Sequence, residues 1–186
     1  EEYIPILEAG NCIRRWSSAP ELDGDEAFVK ALLNKNVLPA IAHSDAIYEE
    51  VLDAWKRGYR HITHLYSGMS GVTRRNGFRF AGVIESAFLI DDMTVEIIAD
   101  NCHLPTSLLQ LIYKFKGSDK IALITDSMRA AGMPEGKSIL GGLSTGQEVI
   151  VEDGVAKMPD RMAFAGSVAT TDRLVRTMCF TAGIPL

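Results

Sequence analysis

Four short apolar runs in this chain end in a histidine or an aspartate, and this recurrence limits the fold more than any other feature. Leu38-Pro39-Ala40-Ile41-Ala42 runs into His43, and Arg60-His61-Ile62-Thr63 runs into His64 before a small glycine-containing loop. Thr94-Val95-Glu96-Ile97-Ile98-Ala99 ends at Asp100, with His103 three residues on, and Ile121-Ala122-Leu123-Ile124-Thr125 ends at Asp126. Runs of this length, rich in β-branched and aliphatic residues, read as strands buried in a parallel sheet. The titratable group comes each time at the C-terminal end, which is the edge where α/β sheets and barrels bind ligands.

Between these runs lie helical patterns. Asp23 and Asp25 are candidate starts for a helix over Ala27–Leu33, and Ser44 or Asp45 for one carrying Ile47, Val51, Leu52 and Trp55, with Gly58 just past its end. Pro105 or Thr106 opens a helix with Leu108, Leu111, Ile112 and Phe115 on one face, closed by Gly117. Gly82–Phe88 reads as a short helix and Thr170–Ala182 as a final one. Cys12–Ala19 reads as a further strand stopped by Pro20, residues 1–10 are ambiguous, and residues 66–80 read as a basic loop. Asp153-Gly154 between Gln147–Glu152 and Val155–Met158 is a two-residue hairpin signal, with a long loop before it. Strands alternating with helices give an α/β class with parallel pairing. At most five strand–helix units are present, whereas a complete (β/α)₈ barrel needs eight and about 250 residues. The expected architecture is therefore a partial barrel or a smaller open sheet, with a β-hairpin insertion near residues 147–158.

The 186 residues suit one domain, residues 1–186, at roughly 150 residues per domain. With 47% hydrophobic and 23% charged residues, the composition is that of a folded globular chain. The net charge of −5 argues against a nucleic-acid partner. No run approaches the roughly 20 apolar residues of a membrane span. Cys12, Cys102 and Cys179 are far apart and odd in number, which reads as reduced thiols in a cytoplasmic protein.

His43 and His64 stand 21 residues apart, one helix, turn and strand. Neighbouring strands lie about 4.8 Å apart, so the two imidazoles can share one ion; the alternative is a pair of core histidines bonded to backbone. His61, three residues from His64, falls on the other side of the strand and is structural. Asp126 is either a helix cap or a base acting on water, and the irregular loop after it favours the base. Asp100 and His103 either orient a substrate or cap the helix near Pro105, with His103 the better candidate. Arg74, Arg75 and Arg79 suit a phosphate, or are simply solvated. Gly166 and Ser167 offer backbone N–H groups to an anion, or Ser167 or Thr170 merely caps.

Taken as a set, A-H-S-D at 42–45, T-H-L-Y-S-G-M at 63–69, A-D-N-C-H-L-P at 99–105, T-D-S-M-R-A-A-G at 125–132 and A-G-S-V-A-T-T-D at 165–172 resemble the N-acetylglucosamine-6-phosphate deacetylases of the amidohydrolase superfamily. The resemblance covers most of residues 37–182 and includes the hairpin before Gly166. It implies a metal-dependent hydrolase of linear amides with a TIM-type barrel, releasing acetate and glucosamine 6-phosphate in amino-sugar catabolism. His43 and His64 match the metal-ligand histidines, for a divalent ion, zinc first and iron second. Asp126 matches the aspartate acting as general base and then acid, and His103 the histidine beside the acetyl group. Ser67 and Gly68 stand where the family usually has Asn-Ala, touching sugar and phosphate. Arg75 falls closest to the family's phosphate-gripping arginine, which reaches across a homodimer; Arg74 is its neighbour.

The family's third metal ligand, a glutamate on an earlier strand, is expected just before Glu1-Glu2-Tyr3-Ile4-Pro5. The chain is thus expected to be a C-terminal portion of the barrel, without the early strands and the small β domain, and weakly active or inactive alone. Two other functions fit the same residues: a related amidohydrolase for another N-acyl or cyclic amide, and a non-catalytic phosphosugar-binding piece.

Overall fold

The computed structural model describes residues 2–22 and 26–185; Asp23 and Asp25, the expected helix starters, lie outside them. The chain forms two compact units. The first runs to Glu96 and takes in Ser118–Ile121, and the second comprises Ile97–Gly117 and the chain from Ala122 on.

The first unit begins with helix α1 (Tyr3–Glu8) and strand β1 (Arg15–Ser18), which gives way at Pro20 to a 3-10 turn, Pro20–Leu22. Proline has no N–H to continue a ladder, so the strand ends there. Next come α2 (Ala27–Asn34), β2 (Leu38–Ile41), α3 (Tyr48–Arg57) and β3 (His61–Ile62). Helix α3 does not start at Ser44 or Asp45 as expected: Ile47 is its N-cap, and the Glu50 carboxylate accepts the Ile47 N–H at 2.8 Å. Gly58 ends it at φ 129, where a side chain would be strained. Residues 66–80 are not an irregular loop. They contain the hairpin β4 (Thr73–Arg75) and β5 (Phe78–Phe80), turning at Asn76 (φ 51) and Gly77 (φ 85). Asn-Gly is the favoured pair for a two-residue turn with both φ positive. Then follow α4 (Val83–Leu89) and β6 (Thr94–Ile97).

Parallel pairing joins β1 to β2, β2 to β3 and β3 to β6. The register sets Ala40 against His61 and Ile41 against Ile62, so the offset between these strands is the 21-residue spacing of His43 and His64. Ile41, Val51, Ile62 and Leu65 are fully buried, each worth about 1.5–3 kcal/mol of transfer free energy.

The second unit carries α5 (Thr106–Lys116) and most of β7 (Ile121–Leu123). The buried face of α5 is Leu109 and Ile112; Leu111 and Phe115, expected inside, are exposed. The stretch before the hairpin, expected to be loop, contains β8 (Gly136–Leu140). It pairs antiparallel with β9 (Gln147–Glu152), then β10 (Val155–Lys157) and β11 (Phe164–Gly166). Ala130, Val149, Val151, Ala156 and Ala165 form this sheet's core. The last helix is shorter than expected: α6 (Thr171–Arg176) passes into a π-helical turn, Thr177–Thr181. Among the described residues no helix is long and apolar enough to cross a membrane.

Candidate active site

His43 follows β2 and His64 follows β3, and both take a left-handed backbone, φ 48 and φ 34. In that region a side chain costs roughly 1–3 kcal/mol, which surrounding structure must offset. The register carries the two rings to the same height, and their centroids lie 4.8 Å apart, edge to face. His64 is 6% exposed while His43 opens to solvent. Gly68 lies against the pair: a Cβ there would come within 2.6 Å of His43 Nδ1, and at φ +60 it would also be strained. Ser67 donates its N–H to His64 O at 2.9 Å, closing the turn. His43, His64, Ser67 and Gly68 are thus brought together in the first unit.

This donor set fits part of a metal site. Two imidazoles this close are within reach of one ion, and a catalytic zinc site uses three protein ligands. Among the described residues no group of three or more His, Cys, Asp or Glu is placed to hold one.

Across the first unit's sheet lies a second, buried polar group. His61 Nδ1 lies 2.7 Å from Thr94 Oγ1, its Nε2 is 3.5 Å from Glu96 Oε1, and Arg15 pairs with the same carboxylate. Burial, and then the Arg15 charge, push His61 down to about 4, so it is neutral at pH 7. Arg75 and Arg74 sit on β4, exposed. The Arg75 guanidinium lies 5.5 Å from the Phe80 ring centroid, and Arg74 is opposite Arg79.

In the second unit the chain turns after β6 at Asn101, φ 64. The buried Asp100 side chain closes the turn: Oδ1 accepts the N–H of Cys102 and of His103, each at 2.8 Å, and Oδ2 lies 2.8 Å from His103 Nδ1. Burial raises Asp100, but the bonds from the His103 ring, His103 N–H and Cys102 N–H outweigh it and hold the carboxyl below its ordinary value. Ionised, it only accepts, so His103 carries its proton on Nδ1 and presents Nε2. Asp100 and His103 are therefore not caps of α5, whose N-cap is Pro105. The His103 ring packs 5.0 Å from the Phe164 ring.

Asp126 follows β7 and is also left-handed, φ 46, and exposed. Immediately after it, Met128 N–H bonds to Ser167 O at 2.9 Å, and Ser127 Oγ donates to Ala169 O at 2.6 Å. The Ser167 and Ala169 carbonyls thus hold the Asp126 turn, just after Gly166 (φ 121); the buried Ser167 Oγ accepts the Ala169 N–H at 2.9 Å rather than capping α6. His103, Asp126, Gly166 and Ser167 belong to this unit.

Two further residues, Arg173 and Glu21, contact these turns. Arg173 donates to Gly154 O and to Asp100 O, each at 2.7 Å. Glu21 bonds the turn after His43. Its position just beyond a strand end, after Ala19-Pro20, is the same signal the other rim residues gave.

No protein-family model matches the chain. An N-acetylglucosamine-6-phosphate deacetylase of Lysinibacillus sphaericus is 36% identical over 170 residues, which are 91% of this chain and 42% of that protein. An N-acetylgalactosamine-6-phosphate deacetylase of Escherichia coli O157:H7 is 31% identical over 96% of this chain and 45% of that protein. A Mycobacterium smegmatis N-acetyl-D-glucosamine-6-phosphate deacetylase, solved as an aspartate-to-alanine mutant with its sugar phosphate, superposes with a TM-score of 0.85 at 31% identity. That match covers 97% of this chain and 45% of the solved one. The chain thus spans less than half the length of these relatives. Its parallel strand–helix succession is the α/β architecture expected of a partial (β/α)₈ barrel, and the chain belongs to the N-acetylglucosamine-6-phosphate deacetylase family.

Proposed function

We propose that the chain is the part of a metal-dependent deacetylase that carries two metal-ligand histidines and the proton-transferring aspartate, acting on N-acetylglucosamine 6-phosphate. The observation that carries this is conformational. His43, His64 and Asp126, at three separate strand ends, all hold a left-handed backbone. Strain of this kind persists where structure over-determines it, and it collects at functional sites.

His43 and His64 would hold a divalent ion, which when bound supplies a Lewis acid and lowers the pKa of water towards about 7. Imidazole and carboxylate donors suit zinc, and also iron. Asp126 takes the proton of the attacking water and returns it to the leaving amine, so that acetate and the free amino sugar result. His103, held through Nδ1, turns Nε2 to the acetyl group. Arg75, backed by Phe80, donates hydrogen bonds to the sugar phosphate and serves a second copy of the chain in a homodimer. Arg74 opposite Arg79 supports an anionic ligand, because like charges facing each other across a hairpin repel. The free thiols Cys12, Cys102 and Cys179 agree with a reducing, cytoplasmic setting.

The zinc-supplemented chain should release acetate weakly from N-acetylglucosamine 6-phosphate and less from the unphosphorylated sugar, with Asp126→Asn removing the activity. Equal rates for both sugars, or an unchanged rate in Asp126→Asn, would overturn the proposal. Ser67 departs from the family's usual Asn, and one relative is named for the galactosamine epimer, so the assay includes both epimers.

A further inference from the structure

We infer that Glu21 is a positioning residue for His43: it clamps the turn that holds this imidazole in its left-handed backbone. The inference rests on His43 being a metal ligand, as proposed above.

Glu21 stands in the 3-10 turn that follows β1. Its Oε2 accepts the Ser44 hydroxyl at 2.7 Å, and its Oε1 accepts the Asp45 N–H at 2.7 Å. Both oxygens of one carboxylate are therefore spent on the two residues immediately after His43. The far side of the turn is fastened as well. Ser70 N–H donates to Ser44 O at 2.9 Å, Ser70 Oγ donates to Ala46 O at 2.6 Å, and Ser44 Oγ accepts the Ala46 N–H at 3.2 Å. Ser44 is 1% exposed and Ser70 8% exposed, so these are interior bonds. The Ser70 bonds brace the turn from the chain just beyond Gly68, and Glu21 braces it from the 3-10 turn after the neighbouring strand.

A non-glycine residue at φ 48 relaxes unless its neighbours forbid it. The residue after His43 is held by its hydroxyl and its carbonyl, and the next by its N–H, so rotation at His43 would break bonds on both sides. A carboxylate has two acceptor oxygens, so it takes the Ser44 hydroxyl on one and the Asp45 N–H on the other. Orienting contacts behind a metal ligand typically matter 10–100-fold in affinity or activity.

The test compares the wild-type chain with Glu21→Ala, Glu21→Gln and His43→Ala by zinc titration and by backbone NMR. Glu21→Ala should lose at least about tenfold in zinc affinity, expose the Asp45 amide to hydrogen exchange and shift the His43 Cα resonance out of the left-handed range. Glu21→Gln keeps one acceptor oxygen and should fall between the two. Should Glu21→Ala not fold, Glu21→Gln carries the test with the same readouts. A folded Glu21→Ala with wild-type zinc affinity, Asp45 protection and His43 shift would overturn the inference. His43→Ala separates the two claims: if it binds zinc as the wild type does, the metal-ligand reading fails. A loss in His43→Ala with none in Glu21→Ala sinks only the positioning role.

Discussion

The Asp100 carboxylate holds His103 twice, accepting the backbone N–H on Oδ1 and meeting ring Nδ1 with Oδ2, each at 2.8 Å. This fixes which ring nitrogen carries the proton. Asp100→Asn would turn an amide donor towards Nδ1 and move the proton to Nε2. Imidazole ¹⁵N spectra should show the Nδ1–H form in the wild type and the Nε2–H form in the variant. The stability loss should be about 1–3 kcal/mol, because buried N–H groups lose their anion. An unchanged tautomer would contradict the assignment.

Arg173 fastens this turn to the β9–β10 hairpin through Asp100 O and Gly154 O. Arg173→Met keeps the aliphatic stem and leaves two carbonyls without these donors, so urea denaturation should show a loss of about 1–3 kcal/mol. Arg173→Lys should recover only part of this, since one ammonium does not span two acceptors as a planar fork does.

His61 makes stability depend on pH in a defined window. Its folded pKa, about 4, lies below the ordinary 6.5, so the unfolded chain binds the proton more readily. Its contribution is fully present above pH 6.5 and declines as the pH falls towards 4, by about 3 kcal/mol in all. Arg15, Glu96 and Thr94 are the polar groups facing it. Thermal melts of the wild type and His61→Gln should converge as the pH drops through this window. Parallel pH curves would show that His61 does not titrate as described.

Gly68→Ala adds a methyl group 2.6 Å from His43 Nδ1 at a φ of +60. The backbone penalty alone is about 1–2 kcal/mol. The variant should melt lower and bind zinc more weakly than the wild type, because the His43 ring has to move.

Much of this was legible in the residues. The strand ends at His43, His64, Asp100 and Asp126 followed from apolar runs meeting polar breaks, and the 21-residue interval proved to be the sheet register. What failed was local. The Asn76-Gly77 turn was masked by the arginines around it, though Asn-Gly between short strands is a hairpin signal. Strand β8 has no apolar alternation of its own and exists because β9 pairs with it. The buried face of α5 differs from the expected one because Leu108, Leu109, Leu111 and Ile112 allow more than one apolar stripe, and packing selects Leu109 and Ile112. Arg173 acts through backbone carbonyls of other segments, which no spacing in the chain reveals, whereas Glu21 stands just past a strand end like the other rim residues.

X-ray absorption of the zinc-loaded chain tests most directly whether His43 and His64 grip one ion. The spectrum should show two imidazole nitrogens at about 2.0–2.1 Å in the wild type and one in either His43→Ala or His64→Ala. Zinc bound without imidazole scattering, or a spectrum unchanged in both variants, would mean that the two histidines do not share an ion.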